Sequence, residues 1–149
     1  MKTSAQPVPV AISADFPELV AGFFAQQGLA LSGDFPVLVG NAKRVGRGHR
    51  FDFGSATPAV VVECKSNTWT ADGNWPAGKI SAWNEAMYYF SLVPKSYRKI
   101  FAVAESLRGE ESLAGTYARK CAHLIPADVE VWVFDTESGI GTQLQIAAA

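Results

Sequence analysis

Asp52, Glu63 and Lys65 are the residues of this chain best placed to do chemistry together. Glu63 and Lys65 are two apart in Val60-Val61-Val62-Glu63-Cys64-Lys65, a run that reads as a β-strand. Strand residues two apart project to the same face, so Glu63 and Lys65 share one side and Val60, Val62 and Cys64 take the other. Asp52 lies eleven residues before Glu63, in His49-Arg50-Phe51-Asp52-Phe53-Gly54, which also reads as a strand. Any pairing that sets Asp52 opposite Val61, Glu63 or Lys65 brings it to the same face. Two carboxylates and an ammonium at the end of apolar strands could hold a hard divalent cation and a water. A plain Glu–Lys or Asp–Lys ion pair, satisfying charges at the rim of a buried strand, is the simpler alternative.

These residues need a scaffold. Residues 1–12 read as a loose arm. A helix is expected from an Asp15 N-cap to Gly28, with Glu18 three residues after the cap. Its core stripe is Phe16, Leu19, Val20, Phe23 and Phe24. Glu18 is either a capping-box partner or an additional acid for the patch. Residues 35–40 form a first strand, confined to an edge or a strand start by Pro36. Asn41 to Gly48 reads as a turn whose cations Lys43, Arg44 and Arg47, followed by Arg50, are a solvated surface or a phosphate contact beside Asp52. The unbroken apolar run of residues 59–62 predicts a central strand covered on both faces.

A polar loop with Trp69 and Trp75 follows, the rings serving as packing anchors or as a surface for bases. Pro76 to Val93 reads as a helix burying Ile80, Trp83, Met87 and Phe90, with Asn84 and Tyr88 sharing another face at i, i+4. Residues 99–104 should run parallel to the Glu63 strand through a right-handed crossover. A helix over 110–124 with Leu113, Tyr117, Cys121 and Leu124 inward, a strand over 129–134 and a short edge strand over 143–146 complete the chain. The order of elements predicts an α/β fold with a mixed central sheet flanked by helices.

The chain has 149 residues, 48% of them hydrophobic and 18% charged, which suits one globular domain over residues 1–149. Its net charge of −1 gives no global attraction to polyanions, so any such contact must be local. The two cysteines, Cys64 and Cys121, form no metal-binding or redox motif and are expected to be buried thiols in a reducing compartment. No apolar run approaches the roughly 18 residues of a membrane span. The N-terminus is too polar and proline-broken for a signal peptide. A cytoplasmic protein is expected.

Asp52 followed on the next strand by Glu63-x-Lys65, inside an αβββαβ order running from Asp15 to Phe134, resembles the PD-(D/E)xK nuclease superfamily. That resemblance implies the restriction-endonuclease-like fold, with Asp52, Glu63 and Lys65 as catalytic residues. The proline usual before the aspartate is replaced by Phe51. The exonuclease branch carries Gln-x-x-x-Tyr on the following helix. Asn84-Glu85-Ala86-Met87-Tyr88 is similar, with Asn for Gln, and makes Asn84 and Tyr88 substrate-binding candidates beside Lys43, Arg44, Arg47 and Arg50.

The implied chemistry also follows from the groups. Asp52, Glu63 and the Cys64 carbonyl offer the oxygen ligands that Mg²⁺ or Mn²⁺ prefers, with Glu18 a further candidate ligand. Lys65 would orient or deprotonate a water, or stabilise the pentacovalent oxygens. The expectation is a metal-dependent nuclease acting on nucleic acid, DNA rather than RNA. A homodimer would gather the basic residues of two copies, and a partner protein could supply targeting. The rival readings are a non-cutting nucleic-acid-binding module and an oligomeric interaction module on the same fold.

Overall fold

Val60, Val61 and Val62 are completely enclosed because their strand lies inside a six-stranded sheet with helices on both faces. A computed structural model describes residues 12–41 and 44–146, and the side chains from Phe16 onward except over 41–47. Thus Lys43 and nearly all of the expected N-terminal arm lie outside the described residues. In chain order the elements are α1 (Ile12–Gln26), β1 (Ser32–Asn41), β2 (Arg44–Ala56), β3 (Ala59–Lys65), α2 (Ala77–Leu92), β4 (Arg98–Ala104), β5 (Leu107–Arg108), β6 (Glu111–Ser112), α3 (Leu113–Lys120), a 3₁₀ turn (Ala122–Leu124), β7 (Val129–Phe134) and β8 (Gly141–Leu144).

The sheet order is β1-β2-β3-β4-β7-β8. β1, β2 and β3 form an antiparallel meander, β3, β4 and β7 run parallel, and β8 closes the far edge antiparallel. The mixed α/β architecture expected from the order of elements is therefore present. Pro36 sits on the edge strand β1, where its missing N–H costs no ladder bond. Among the described residues no helix is long and apolar enough to cross a membrane.

Strand alternation divides the core in two. Val61, Phe101 and Val103 face α2 and α3, packing with Ile80, Trp83, Met87, Phe90, Leu113 and Tyr117. Val60, Val62, Ile100 and Ala102 face α1, packing with Phe16, Val20 and Phe24. All four residues of the expected α2 stripe are buried. Cys64 belongs to the α1 side and Cys121 to the other, both half-buried rather than fully so, and the sheet separates them.

Several boundaries differ from expectation. α1 begins at Ile12, so Asp15 lies inside the helix and Glu18 is no capping-box partner. Nothing between Ile12 and Phe16 interrupts helical backbone, and Ala14 favours it. The expected basic turn is mostly strand. β1 and β2 pair as far as Asn41 and Arg44, which puts Arg44, Arg47 and Arg50 on β2. The expected helix over 110–124 is broken. Gly109 takes φ 62° in a tight β5–β6 hairpin that Arg108 and Glu111 pin with an ion pair at 2.6 Å. Ser112 then caps α3, its hydroxyl accepting from the Gly115 N–H at 3.1 Å. Leu124, expected inward, is 41% exposed. β8 lies two residues earlier than expected.

Candidate active site

Asp52 and Glu63 meet where β2 and β3 part. The antiparallel ladder between these strands ends at Phe53 opposite Val62, and the next residues abreast are Asp52 and Glu63. In place of further ladder bonds, each side chain takes a backbone partner on the other strand. The Asp52 carboxylate accepts from the Cys64 N–H at 2.8 Å, and the Glu63 carboxylate accepts from the Asp52 N–H at 3.3 Å. Both carboxylates are thus held between the strands, each by one oxygen.

The bend that opens this fork is encoded in β1. Asp34, across β1–β2 from Asp52, has φ 52°, outside extended geometry. On one side of it Phe53 packs on the α1 face, and on the other Phe51 is buried on the α2 face. The β1–β2 ribbon therefore rotates at Asp52 and continues over α2, where Val37 and Val39 are buried. Gly54 permits the crossing, since a Cβ there would press on the Phe35 ring and lie 2.8 Å from the Val60 carbonyl oxygen.

Lys65 stands on the same side as Glu63. Its Nζ is 4.0 Å from the Glu63 carboxylate, and both side chains are mostly buried. This is the ion pair of the simpler reading, but a long one. Burial, reinforced by the Asp52 carboxylate, raises the Glu63 pKa to about 7 even though Lys65 and the Asp52 N–H oppose the shift. The patch thus carries more negative charge than Lys65 offsets. The Cys64 thiol is pushed well up by burial and by the neighbouring carboxylates, which leaves it a poor nucleophile.

α2 contributes a different pair from the one expected. Asn84 points to α3, its carbonyl accepting from the Tyr117 hydroxyl at 2.8 Å, and Tyr88 is 60% exposed. One residue further round the helix, Glu85 acts electrostatically on both Glu63 and His49. Tyr89 stacks on His49 with ring centroids 3.7 Å apart and planes 14° from parallel. The i, i+4 pair turned towards the site is therefore Glu85 and Tyr89. The spacing held no signal for His49, which stands an odd step of three residues before Asp52 and so would project to the opposite face of a regular strand. Nor did it say which flank of α2 meets the site.

The remaining candidates fall as follows. Glu18 is exposed on α1, which packs on the side of Val60 and Val62, whereas Glu63 and Lys65 project from the other side of β3. The fold does not bring Glu18 to the patch. Arg50 is paired with Asp34 at 3.4 Å, both side chains mostly in solvent. Trp69 is an anchor, with its indole N–H donated to the Glu111 carbonyl at 3.2 Å. The Arg108 guanidinium covers its ring at 3.8 Å, so it offers no face to bases.

The donor set suits a hard cation. Each of Asp52 and Glu63 keeps one carboxylate oxygen outside the strand-to-strand bonds, and the Cys64 carbonyl follows directly after Glu63 on β3. Among the described residues no three His, Cys, Asp or Glu side chains converge into a metal-binding group. A cation here would be held by two carboxylates, a carbonyl and water, the partial protein shell usual for Mg²⁺. No protein-family model, curated protein or solved structure matches the chain.

Proposed function

We propose that this protein hydrolyses phosphodiester bonds of nucleic acid, DNA rather than RNA, with Mg²⁺ or Mn²⁺ held by Asp52, Glu63 and the Cys64 carbonyl. The observation that carries the reading is the fork at Asp52 and Glu63. Two carboxylates are fixed there by backbone N–H groups on opposite strands, with Lys65 beside them and too little positive charge to balance them. The restriction-endonuclease-like arrangement belongs to this proposal. The order of α1, β1–β3, α2 and β4 accords with it.

The backbone bonds do the positioning. They fix the rotamers of the carboxylate pair in advance, so little reorganisation is needed when charge develops. A divalent cation bound there acidifies water and withdraws charge from a phosphate. Lys65 is anchored by its own strand and only loosely held by Glu63. Its ammonium orients the attacking water or meets the phosphoryl oxygens as they gain charge. Arg44, Arg47 and Arg50 on β2, together with Lys43, supply the phosphate contacts. Arg50 exchanges its exposed Asp34 partner for a phosphate at little cost. With a net charge of −1, one copy offers few such contacts, so a homodimer is the proposed assembly. Two free thiols on opposite faces of the sheet accord with a cytoplasmic setting.

The test is cleavage of plasmid and single-stranded DNA with Mg²⁺ or Mn²⁺ by the parent, Asp52→Ala and Lys65→Ala. Activity in the parent that falls on the order of 10²–10³-fold in each variant supports the reading. Equal activity in all three, or none in the parent, overturns it.

A further inference from the structure

The aromatic run beside the fork has no part in holding a cation or a water. His49 lies on β2 three residues before Asp52. Tyr89 covers one face of its ring, and Phe51 stands nearly perpendicular to it at 4.7 Å. Tyr88 follows, edge-on to Tyr89 at 6.5 Å and 60% exposed. His49 itself is only half-buried. Asp52, Glu85 and Lys65 all act on it electrostatically, so the ring borders the same patch. Burial lowers its pKa, which leaves a neutral ring near pH 7 and makes it a poor phosphate contact. Tyr89, on the α2 flank turned to the fork, stacks on His49, and Tyr88 stands edge-on to Tyr89 one ring further out, its own ring open to solvent at the rim of the site. Solvent exposure on this scale also sets Tyr88 apart from the buried α2 stripe.

We propose that Tyr88, Tyr89 and His49 form a platform for unpaired nucleobases, so that the site takes single-stranded DNA, or a single-stranded end, in preference to blunt duplex. This rests on the nuclease reading and names its substrate class. Bases inside a duplex are already stacked and gain nothing from the platform, whereas each unpaired base that lies on an aromatic ring gains stacking energy whatever its identity. Tyr88 receives the base, and the Tyr89–His49 pair fixes the ring row against β2, the strand that carries Asp52.

Binding is measured by fluorescence anisotropy in the Lys65→Ala background with Mn²⁺. The probes are a single-stranded oligonucleotide containing 2-aminopurine and a blunt duplex of the same sequence. Tighter single-strand binding is expected. Tyr88→Ala should weaken it about tenfold and relieve 2-aminopurine quenching, with duplex binding unchanged. Tyr88→Phe should keep affinity within about twofold of the parent. His49→Ala tests the brace, with His49→Phe keeping an aromatic ring in place should the alanine variant unfold. Equal loss on single strand and duplex, or tighter duplex binding, overturns the platform. Cleavage by the parent is assayed in parallel. Metal-dependent cleavage with no effect of Tyr88→Ala overturns the platform and leaves the nuclease reading. Single-strand binding lost in Tyr88→Ala, without cleavage by the parent, supports the platform and overturns hydrolysis.

Discussion

Asp52 and Glu63 exchange backbone partners across the gap between β2 and β3: the Asp52 carboxylate accepts from the Cys64 N–H at 2.8 Å, and the Glu63 carboxylate from the Asp52 N–H at 3.3 Å. The side chains do the work of ladder bonds that the diverging strands can no longer make. Both polar backbone groups stay satisfied, and two like charges are held together in a half-buried place. Such an arrangement stores unfavourable electrostatics in the metal-free protein, and its removal should be measurable.

The first prediction concerns pH. The folded-state pKa of Glu63 is raised from 4.5 to about 7, chiefly by burial and then by Asp52. Between these values the folded state binds the proton and the unfolded chain does not. Stability from this group is therefore greatest below about pH 4.5, falls as pH rises, and is fully lost above about pH 7. The difference amounts to about 3 kcal/mol. In chelator, Glu63→Gln should raise Tm at pH 8 and leave it nearly unchanged at pH 4.5. Thermal melts across that range check this, and a gain equal at both ends would show that the charge is not the cause.

A cation should relieve the same repulsion. Mn²⁺ at about 100 times its dissociation constant should stabilise the parent by about 2.7 kcal/mol. Asp52→Asn keeps an oxygen to accept from the Cys64 N–H but loses the charge, and should lose most of that stabilisation. Differential scanning calorimetry with and without Mn²⁺ measures both. An undiminished shift in Asp52→Asn would move the cation elsewhere.

Lys99 sits at the other end of β4, its side chain 3% exposed and its Nζ 2.8 Å from Asp128, which is 40% exposed. Removing only the acid leaves a buried ammonium without its partner. Asp128→Ala should therefore cost on the order of 2–3 kcal/mol. Lys99→Met removes the buried charge, strands only a half-exposed carboxylate, and should cost less. Urea denaturation of the two variants gives the comparison. The reverse order would mean that the lysine stem, not its charge, matters there.

Gly54 lets β1 and β3 close on β2 just before the fork. Gly54→Ala puts a Cβ 2.8 Å from the Val60 carbonyl oxygen and against the Phe35 ring. Phe35 can turn aside, but the Val60 backbone lies in the enclosed strand and cannot. A loss of about 1–3 kcal/mol is expected. Phe35→Ala in the same chain should not restore it, because the backbone clash remains. Chemical denaturation of the single and double variants checks this.

The amino-acid sequence by itself determined the parts that depend on local pattern. The apolar run of residues 59–62 specified a buried central strand, and Glu63 and Lys65 were on one face because strand geometry leaves no other choice. The α2 stripe was legible in the spacing of Ile80, Trp83, Met87 and Phe90. Pro36 marked the edge strand through its missing N–H. What only the tertiary structure decided were choices between positions that look equivalent along the chain. Asn84/Tyr88 and Glu85/Tyr89 have the same i, i+4 spacing on the two flanks of the buried stripe, and spacing does not say which flank meets the fork. Packing of Tyr89 on His49, forty residues away, shows that it is the Glu85/Tyr89 flank. Glu18 could have served either face of the sheet until α1 packed on the Val60 side. The fork itself was equally hidden, since it depends on Asp34 in β1 bending the ribbon opposite Asp52. No periodicity reports a bend, because it follows from one residue's backbone angle and from which strand that residue faces.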